Sequence, residues 1–386
     1  MTHYCYIGSA GPAQSATADS PGYGQVTVKE SKTGIVVAKL TTDGELQPAG
    51  AVELDAHVGW LTQHPTNGHL YCVAGSSVLG LKIGADGMLG APFTSADAAG
   101  DSAFLELTMD GKWALSASYS GSLLSIMPIA GDGSVGAPTD VLYHEVPLNP
   151  ALADRQEACH PHQVRVDPTQ QWALVPDLGA SRVWIYGLPG REDGKFLRDQ
   201  RSKTHLVLPE GAGPRHLDFH PNGKYVYILC ELDGNVVLCD WDSDAGTLSP
   251  RQSIYVLPDG VICSRAHHSG CSHILVSADG KNVYAASRTD GTIASFAVGE
   301  DGTLSKLGEN VPCGGVCPRN FQFDLVSSPP RLRICNQDSQ NITSIAIGEG
   351  GALAVAAKAT LETPGVCPQV ISVPIRPPAA AGVGAL

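Results

Sequence analysis

One short turn signature recurs along this 386-residue chain and restricts what it can fold into. HPTNG at 64–68, TMDGK at 108–112, DPTQQ at 167–171, HPNGK at 220–224 and SADGK at 277–281 each separate two apolar runs. A second marker recurs after several of them: GADGML at 84–89, GDGSV at 131–135, DAGTL at 244–248 and EDGTL at 300–304. Self-similarity at tens of residues means stacked copies of one supersecondary unit. The unit is clearest in HLDFHPNGKYVYILCELDGNVVLCDWD (216–242). Its β-branched and aromatic runs predict strands over 216–220, 224–231 and 235–242, with a fourth over 252–257. Asp233-Gly234 predicts a type I′ hairpin turn, with positive φ at both residues. Four antiparallel strands in one continuous segment describe a propeller blade.

A weaker sixth unit runs over 320–347, with Ser327-Ser328-Pro329-Pro330 where the other hairpins carry Gly. The segments 4–9 and 34–40 at the start and 366–375 at the end then remain unassigned. Sharing one blade, they complete an all-β, seven-bladed β-propeller of four-stranded antiparallel blades, its ring closed by N- and C-terminal strands. An eight-bladed or open array is the alternative. One domain is expected over 1–376, with a loop at 11–32 and a disordered tail at 377–386. The 44 Gly and 27 Pro suit many turns, and no stretch holds a helical period.

A net charge of −13 with scattered basic residues argues against a nucleic-acid partner. No apolar run reaches the length of a spanning helix and no leader-like segment opens the sequence, so no membrane association and a cytoplasmic location are expected. The eleven cysteines are odd in number, and Cys72, Cys230, Cys239 and Cys335 sit inside apolar strands, which predicts reduced core thiols. Cys313 and Cys317 form a CxxxC pair, but no second Cys or His pair lies at zinc-like spacing, and no metal site is expected.

In a four-stranded meander, the approach to the first strand and the turn between the second and third lie at the same end. Arg215 and Glu231 therefore converge. Corresponding positions add His160 and His162 with Asp177, Arg288, and Arg319 with Asn336 and Gln337, while Arg265, His267 and His268 precede the next first strand. First strands line a propeller's channel, so these groups would share one polar cavity rich in His and Arg. That suits a small anionic ligand, because Arg offers fork-shaped donors to carboxylate or phosphate. It also supplies a base in Glu231 or His162 and cationic donors for an oxyanion. Each group has a plainer reading as well. The His160-Pro161-His162 stretch could be a rigid turn, Arg215 and Glu231 a scaffold ion pair, Arg288 a partner of Asp290, and Asp177 a turn residue.

HPHQVRVDPTQQWALVPDLGASRVWIY (160–186), GPRHLDFHPNGKYVY (213–227), SADGKNVYAASR (277–288) and CPRNFQFD with CNQDSQNI (317–342) resemble the seven-bladed propeller lactonases. That family includes propeller-type 6-phosphogluconolactonases and fungal 3-carboxy-cis,cis-muconate cyclases, and the resemblance covers essentially the whole chain. A His, two Arg and a Glu are the active-site set proposed in the cyclase branch, and His162, Arg215, Glu231 and Arg288 fall at the matching positions. His160, His268, Arg319, Asn336 and Gln337 remain as substrate-binding candidates. The resemblance implies no metal or other cofactor. It implies hydrolysis of a small anionic sugar-acid or phosphosugar lactone, with a lactonising cyclase or a non-catalytic interaction platform as alternatives. For hydrolysis, Glu231 or His162 would activate water, Arg215 would stabilise the oxyanion and Arg288 would hold the substrate's anionic group. Several positions depart from the family pattern. Cys230 and Ser287 stand where Asn is usual, Ala103-Phe104-Leu105 where Cys-His-Leu is common, and His273 where Glu is common.

Overall fold

The computed structural model describes residues 2–10, 33–188, 203–354, 358–363 and 370–375. The loop expected at 11–32 and the tail expected at 377–386 lie outside the described residues. Seven antiparallel sheets form the ring. Blade 1 holds Val58–Gln63, Leu70–Ala74, Ser77–Ile83 and Leu89–Asp97, and blade 2 holds Phe104–Leu107, Trp113–Ser118, Leu123–Pro128 and Asp140–Tyr143. Blade 3 holds Arg165–Val166, Trp172–Asp177, Arg182–Gly187 and Lys203–Val207, and blade 4 Pro214–Phe219, Tyr225–Cys230, Asn235–Asp242 and Thr247–Tyr255. Blade 5 holds Cys271–Val276, Asn282–Ser287, Thr292–Val298 and a split edge, Leu304–Lys306 and Val311–Pro312, and blade 6 holds Pro318–Asp324, Arg331–Asn336, Asn341–Ala346 and Lys358–Glu362. In the closing blade Val370–Ile375 is innermost, followed outward by Thr2–Ala10, Thr33–Leu40 and Leu46–Glu53. The shared blade and the count of seven follow the sequence expectation.

Strand alternation puts apolar side chains on both faces of each blade, and each face packs against a neighbour. Seven separate apolar clusters result, one per blade interface. A repeated hydrogen bond accompanies them. Tyr6, Tyr71, Tyr227 and Tyr284 each donate their hydroxyl to a glycine carbonyl in the strand 3–4 turn of the next blade, at 2.9, 2.6, 2.8 and 2.8 Å. His64 and His220, the first residues of two HP turns, bond through Nε2 to the carbonyls of Gly111 and Gly280 in the neighbouring blade. The turn marker is thus also an inter-blade contact.

One local expectation fails. The Asp233-Gly234 turn is not type I′: only Gly234 has positive φ (76°), while the Asp233 carboxylate accepts from the Asn235 amide at 3.0 Å. In blades 2 to 6 the loop before the third strand ends in one left-handed residue, which is Ser122, Ser181, Gly234, Gly291 and Gln340 in turn. In blades 2 and 3 the side-chain oxygens of Ser118 and Asp177 likewise accept from loop amides, those of Gly121 and Ala180, that a tighter turn would have bonded otherwise.

Candidate active site

Two positions in the blade repeat build the mouth of the channel. The first is the residue just past the second strand, which is Gly75, Tyr119, Leu178, Glu231, Arg288 and Gln337 in blades 1 to 6. In five of these blades its amide bonds back to the carbonyl at the approach to the first strand: Gly75 to His57, Leu178 to His160, Glu231 to Gly213, Arg288 to Gly270 and Gln337 to Cys317. The second position lies two residues beyond that carbonyl: Gly59, His162, Arg215, Ser272 and Arg319 in blades 1, 3, 4, 5 and 6. In blades 1, 4, 5 and 6 the strand register shifts at this point. A bulge leaves its residue out of the ladder and re-aims the side chain, which in blades 4 and 6 turns Arg215 and Arg319 into the mouth.

Glu231 is the centre of the mouth. Its Oε1 accepts from Arg155 Nη2 at 2.5 Å, and its Oε2 lies 2.9 Å from Arg215 Nε and 2.8 Å from Arg288 Nη2. The Arg215 Nε–H does not point along its contact, which is therefore an ion pair and not an aligned hydrogen bond. All four side chains are almost fully buried. Burial alone would raise the Glu231 pKa, but Arg288, Arg215 and Arg155 outweigh it and hold the carboxyl well below its usual range. Burial and then Arg288 push the Arg215 pKa down against the pull of Glu231, yet a guanidinium keeps its proton under such pressure. Gly270 is required where it stands, because a Cβ there would meet the Glu231 carbonyl oxygen at 2.0 Å.

Arg288 also donates to the carbonyls of Gly270 and Cys271 at 2.9 and 3.3 Å, so its partner is Glu231 and not Asp290. Arg319 has no carboxylate within ion-pair distance among the described residues. It gives Nη1 to Gln337 Oε1 at 2.6 Å and to His268 Nδ1 at 3.2 Å. Because Arg319 donates to it, His268 Nδ1 must be the unprotonated nitrogen, and burial followed by Arg319 pushes the His268 pKa down to about 2. His268 and Cys317, side by side over this group, both hold left-handed backbone at φ 61°. Strain of this kind is tolerated where the surroundings over-determine the conformation.

His162 lies beside the cluster, edge-on to the rings of Tyr119 and His216 with centroids at 5.5 and 5.1 Å. Burial first and Arg215 second hold its pKa well below 6.5, so the imidazole is neutral at neutral pH. Its Nδ1 is buried without a hydrogen-bond partner among the described residues.

Two substrate-binding expectations fail. Asn336 is fully buried within blade 6, where its amide donates to Asn341 Oδ1 and Thr343 Oγ1, so it faces the blade and not the cavity. The ring nitrogens of His160 are already engaged, by the Tyr119 carbonyl at 3.0 Å and by Glu157 at 3.1 Å, and its ring stacks on Tyr119. Gln337 stands behind Arg319 as its acceptor. Asp177 is a turn residue after all, accepting from the amides of His160 and Ala180 and from Trp184 Nε1, and pairing with His144. Arg155 and Tyr119 were missed. The available signal was connection length, since 144–164 and 256–270 are the long links between blades and supply Arg155 and His268.

Among the described residues, no three His, Cys, Asp or Glu side chains converge as metal ligands would. An open surface groove bounded by Pro168, Pro221, Lys224 and Trp241 lies at the turn end of the ring, away from this site.

Residues 23–367 match the family model for "Lactonase, 7-bladed beta-propeller". A 6-phosphogluconolactonase of Sodalis glossinidius is 33% identical over 328 residues, 83% of this chain and 90% of that protein. One from Pectobacterium carotovorum is 30% identical over 313 residues, 80% of this chain and 86% of that protein. The solved structure of a periplasmic gluconolactonase from Pseudomonas aeruginosa superposes with a TM-score of 0.82 at 22% identity, covering 97% of this chain and 100% of that one, and speaks for the fold.

Proposed function

The chain belongs to the seven-bladed β-propeller lactonase family, and from that premise we propose that it hydrolyses a small anionic lactone at the channel mouth around Glu231. The observation carrying this reading is a buried site with four guanidinium groups, one carboxylate among them and a neutral imidazole alongside. Such a site holds excess positive charge in a chain of net charge −13, and that local field attracts an incoming anion.

Of the two candidate bases, His162 fits better. Both carboxylate oxygens of Glu231 are taken up by three arginines, which suits it to positioning them, whereas His162 is neutral and its Nδ1 has no hydrogen-bond partner among the described residues. In the proposed step, water adds to the lactone carbonyl as His162 removes its proton. The oxyanion forms against Arg215, and its collapse breaks the ring C–O bond. The departing oxygen takes the proton back from His162, and the new acid releases its own proton to solvent. The anchoring role expected of Arg288 passes to Arg319, because Arg288 is committed to Glu231 and two carbonyls.

Because relatives carry the name 6-phosphogluconolactonase, 6-phosphogluconolactone is the first substrate to test, beside unphosphorylated gluconolactone and 3-carboxy-cis,cis-muconate. We expect ring opening of an anionic lactone, a fall of about a hundredfold in turnover for Arg215→Ala, and mainly a raised KM for Arg319→Ala. Ring closure of the muconate alone would make the protein a cyclase. No turnover of any of the three compounds would leave a binding platform, and unchanged turnover in both Arg215→Ala and His162→Gln would place the chemistry at other residues. A cytoplasmic location is part of the proposal, supported by ten described cysteines that are all unbridged.

A further inference from the structure

We propose that His216 and His273 form a two-histidine relay that positions Arg215, a role that rests on the lactone-hydrolysis reading. Both side chains lie below the mouth on the inner strands of blades 4 and 5 and are buried. Aromatic rings wall them in. Trp60 and Phe104 stand edge-on to His216 at 5.7 and 5.6 Å, and Trp60 and Phe321 edge-on to His273 at 6.0 and 5.1 Å. Inside such a wall, polar atoms must satisfy one another.

The hydrogen bonds fix where the protons are. Arg215 Nη1 lies 3.3 Å from His216 Nε2, and a guanidinium can only donate, so that nitrogen carries no proton. The proton of His216 is then on Nδ1, which lies 2.7 Å from His273 Nδ1. His273 Nδ1 must accept, and His273 carries its own proton on Nε2. A single order results: Arg215 donates to His216, and His216 donates to His273. The same Arg215 nitrogen also donates to the carbonyl of Ser272, the neighbour of His273, so this carbonyl and the far end of the relay come from one bulged segment of blade 5.

Protonating the pair would set an N–H of His216 against an N–H of Arg215 and add a cation to the cluster. The groups facing the pair oppose that. His216 meets Arg215, His273, His162 and Arg319, and His273 meets Arg215 and Arg165. No carboxylate lies within ion-pair distance of either ring among the described residues, and the nearby Glu106 and Asp218 are paired with Arg165. The relay thus holds Arg215 from below while Glu231 holds it from the side, leaving the guanidinium no freedom to follow the ground-state carbonyl. Donors fixed in advance at the position of developing charge are what an oxyanion requires.

The tautomers can be read directly by long-range nitrogen–proton NMR on the full chain at pH 7, with signals assigned through His216→Gln and His273→Gln. We expect neutral His216 protonated on Nδ1 and neutral His273 protonated on Nε2, with the His216 signals moving in Arg215→Lys. The reverse tautomers, a cationic ring, or His216 signals indifferent to Arg215→Lys would overturn the relay. This readout needs no substrate, so it stands even if the lactone reading fails. With a lactone that the protein turns over, His216→Leu is expected to lower kcat about tenfold with KM nearly unchanged, and His216→Gln, which keeps an acceptor for Arg215, to recover most of it. Equal losses in the Leu and Gln variants would show that only packing was at stake and would end the proposal.

Discussion

The two ends of the ring are made from the same blades in opposite ways. At the turn end contacts repeat, with four tyrosines making one bond to the next blade and two histidines another. At the mouth, the single position past the second strand is Gly75, Tyr119, Leu178, Glu231, Arg288 and Gln337 in turn. Repetition spreads stability over many equivalent joints. Variation at one register point concentrates chemistry, because the backbone presents every such residue to the same axis and only the side chain changes. The turn end should therefore tolerate the loss of any one contact, and the mouth should not.

The largest expected effect strikes both ends together. Deleting residues 1–9 removes the strand that pairs with Val370–Ile375 on one side and Thr33–Leu40 on the other. It also removes Cys5, Tyr6 and Ile7, each fully buried. At roughly 1.5–3 kcal/mol per buried apolar side chain the three together lose about 4.5–9 kcal/mol, comparable with the whole stability of a domain. Thermal unfolding should show a sharply lowered midpoint or no cooperative transition, and an unchanged midpoint would refute closure by the shared blade.

Next comes the mouth alone. Glu231→Gln leaves Arg155, Arg215 and Arg288 buried around a neutral amide, and breaking a buried pair from one side costs about 3–5 kcal/mol. Denaturant unfolding should register that loss, and turnover should collapse even where the fold survives. A variant as stable as the parent would mean that the arginines find other counter-charges.

The repeated end was legible in the sequence, and the mouth only partly. A turn needs particular residues, so HPNGK and DAGTL announced themselves, and the unpaired runs at both termini implied closure. Meander geometry also brought Arg215, Glu231 and Arg288 together correctly. It could not show that Arg215 and Arg319 lie on bulges, since a bulge is set by the register of two strands and not by a residue type. Nor could it separate Gln337 from Asn336. They are adjacent in sequence, but one lies past the strand at the mouth and the other is its last residue, turned into the blade. Arg155 comes from a connection without strand pattern, so only the length of that connection pointed to it.

A pH series sharpens the contrast at smaller magnitude. His216 and His273 have pKa values depressed well below 6.5 by burial first and by Arg215 next, so the folded state refuses protons that the unfolded chain accepts. Stability should therefore fall as pH drops below 6.5. Replacing one such histidine by Gln removes its share, so His273→Gln should flatten the slope by about 1.4 kcal/mol per pH unit between roughly pH 6 and 5. Comparing variant with parent cancels the raised carboxyls Glu106 and Asp218, which titrate in the opposite sense and are present in both. Identical slopes would mean that His273 titrates normally in the folded protein.

The smallest expected effect belongs to the turn end. Tyr284 gives its hydroxyl to the Gly351 carbonyl at 2.8 Å, one of four equivalent bonds around the ring. Tyr284→Phe keeps the ring buried and removes one hydrogen bond, a loss of about 1 kcal/mol. Blade 5 retains its apolar contacts with blade 6 through Ala286, Ile293, Phe321 and Ile334, so the joint should stay closed. Tyr284 also lies on the second strand of blade 5, four residues before Arg288, which makes the variant a stringent control. If the ends are independent, kcat and KM remain those of the parent while the unfolding free energy drops by that single bond. If turnover falls by as much as in the Glu231 variant, the turn end is coupled to the mouth through the strand, and the division of labour between repeated and unrepeated positions does not hold.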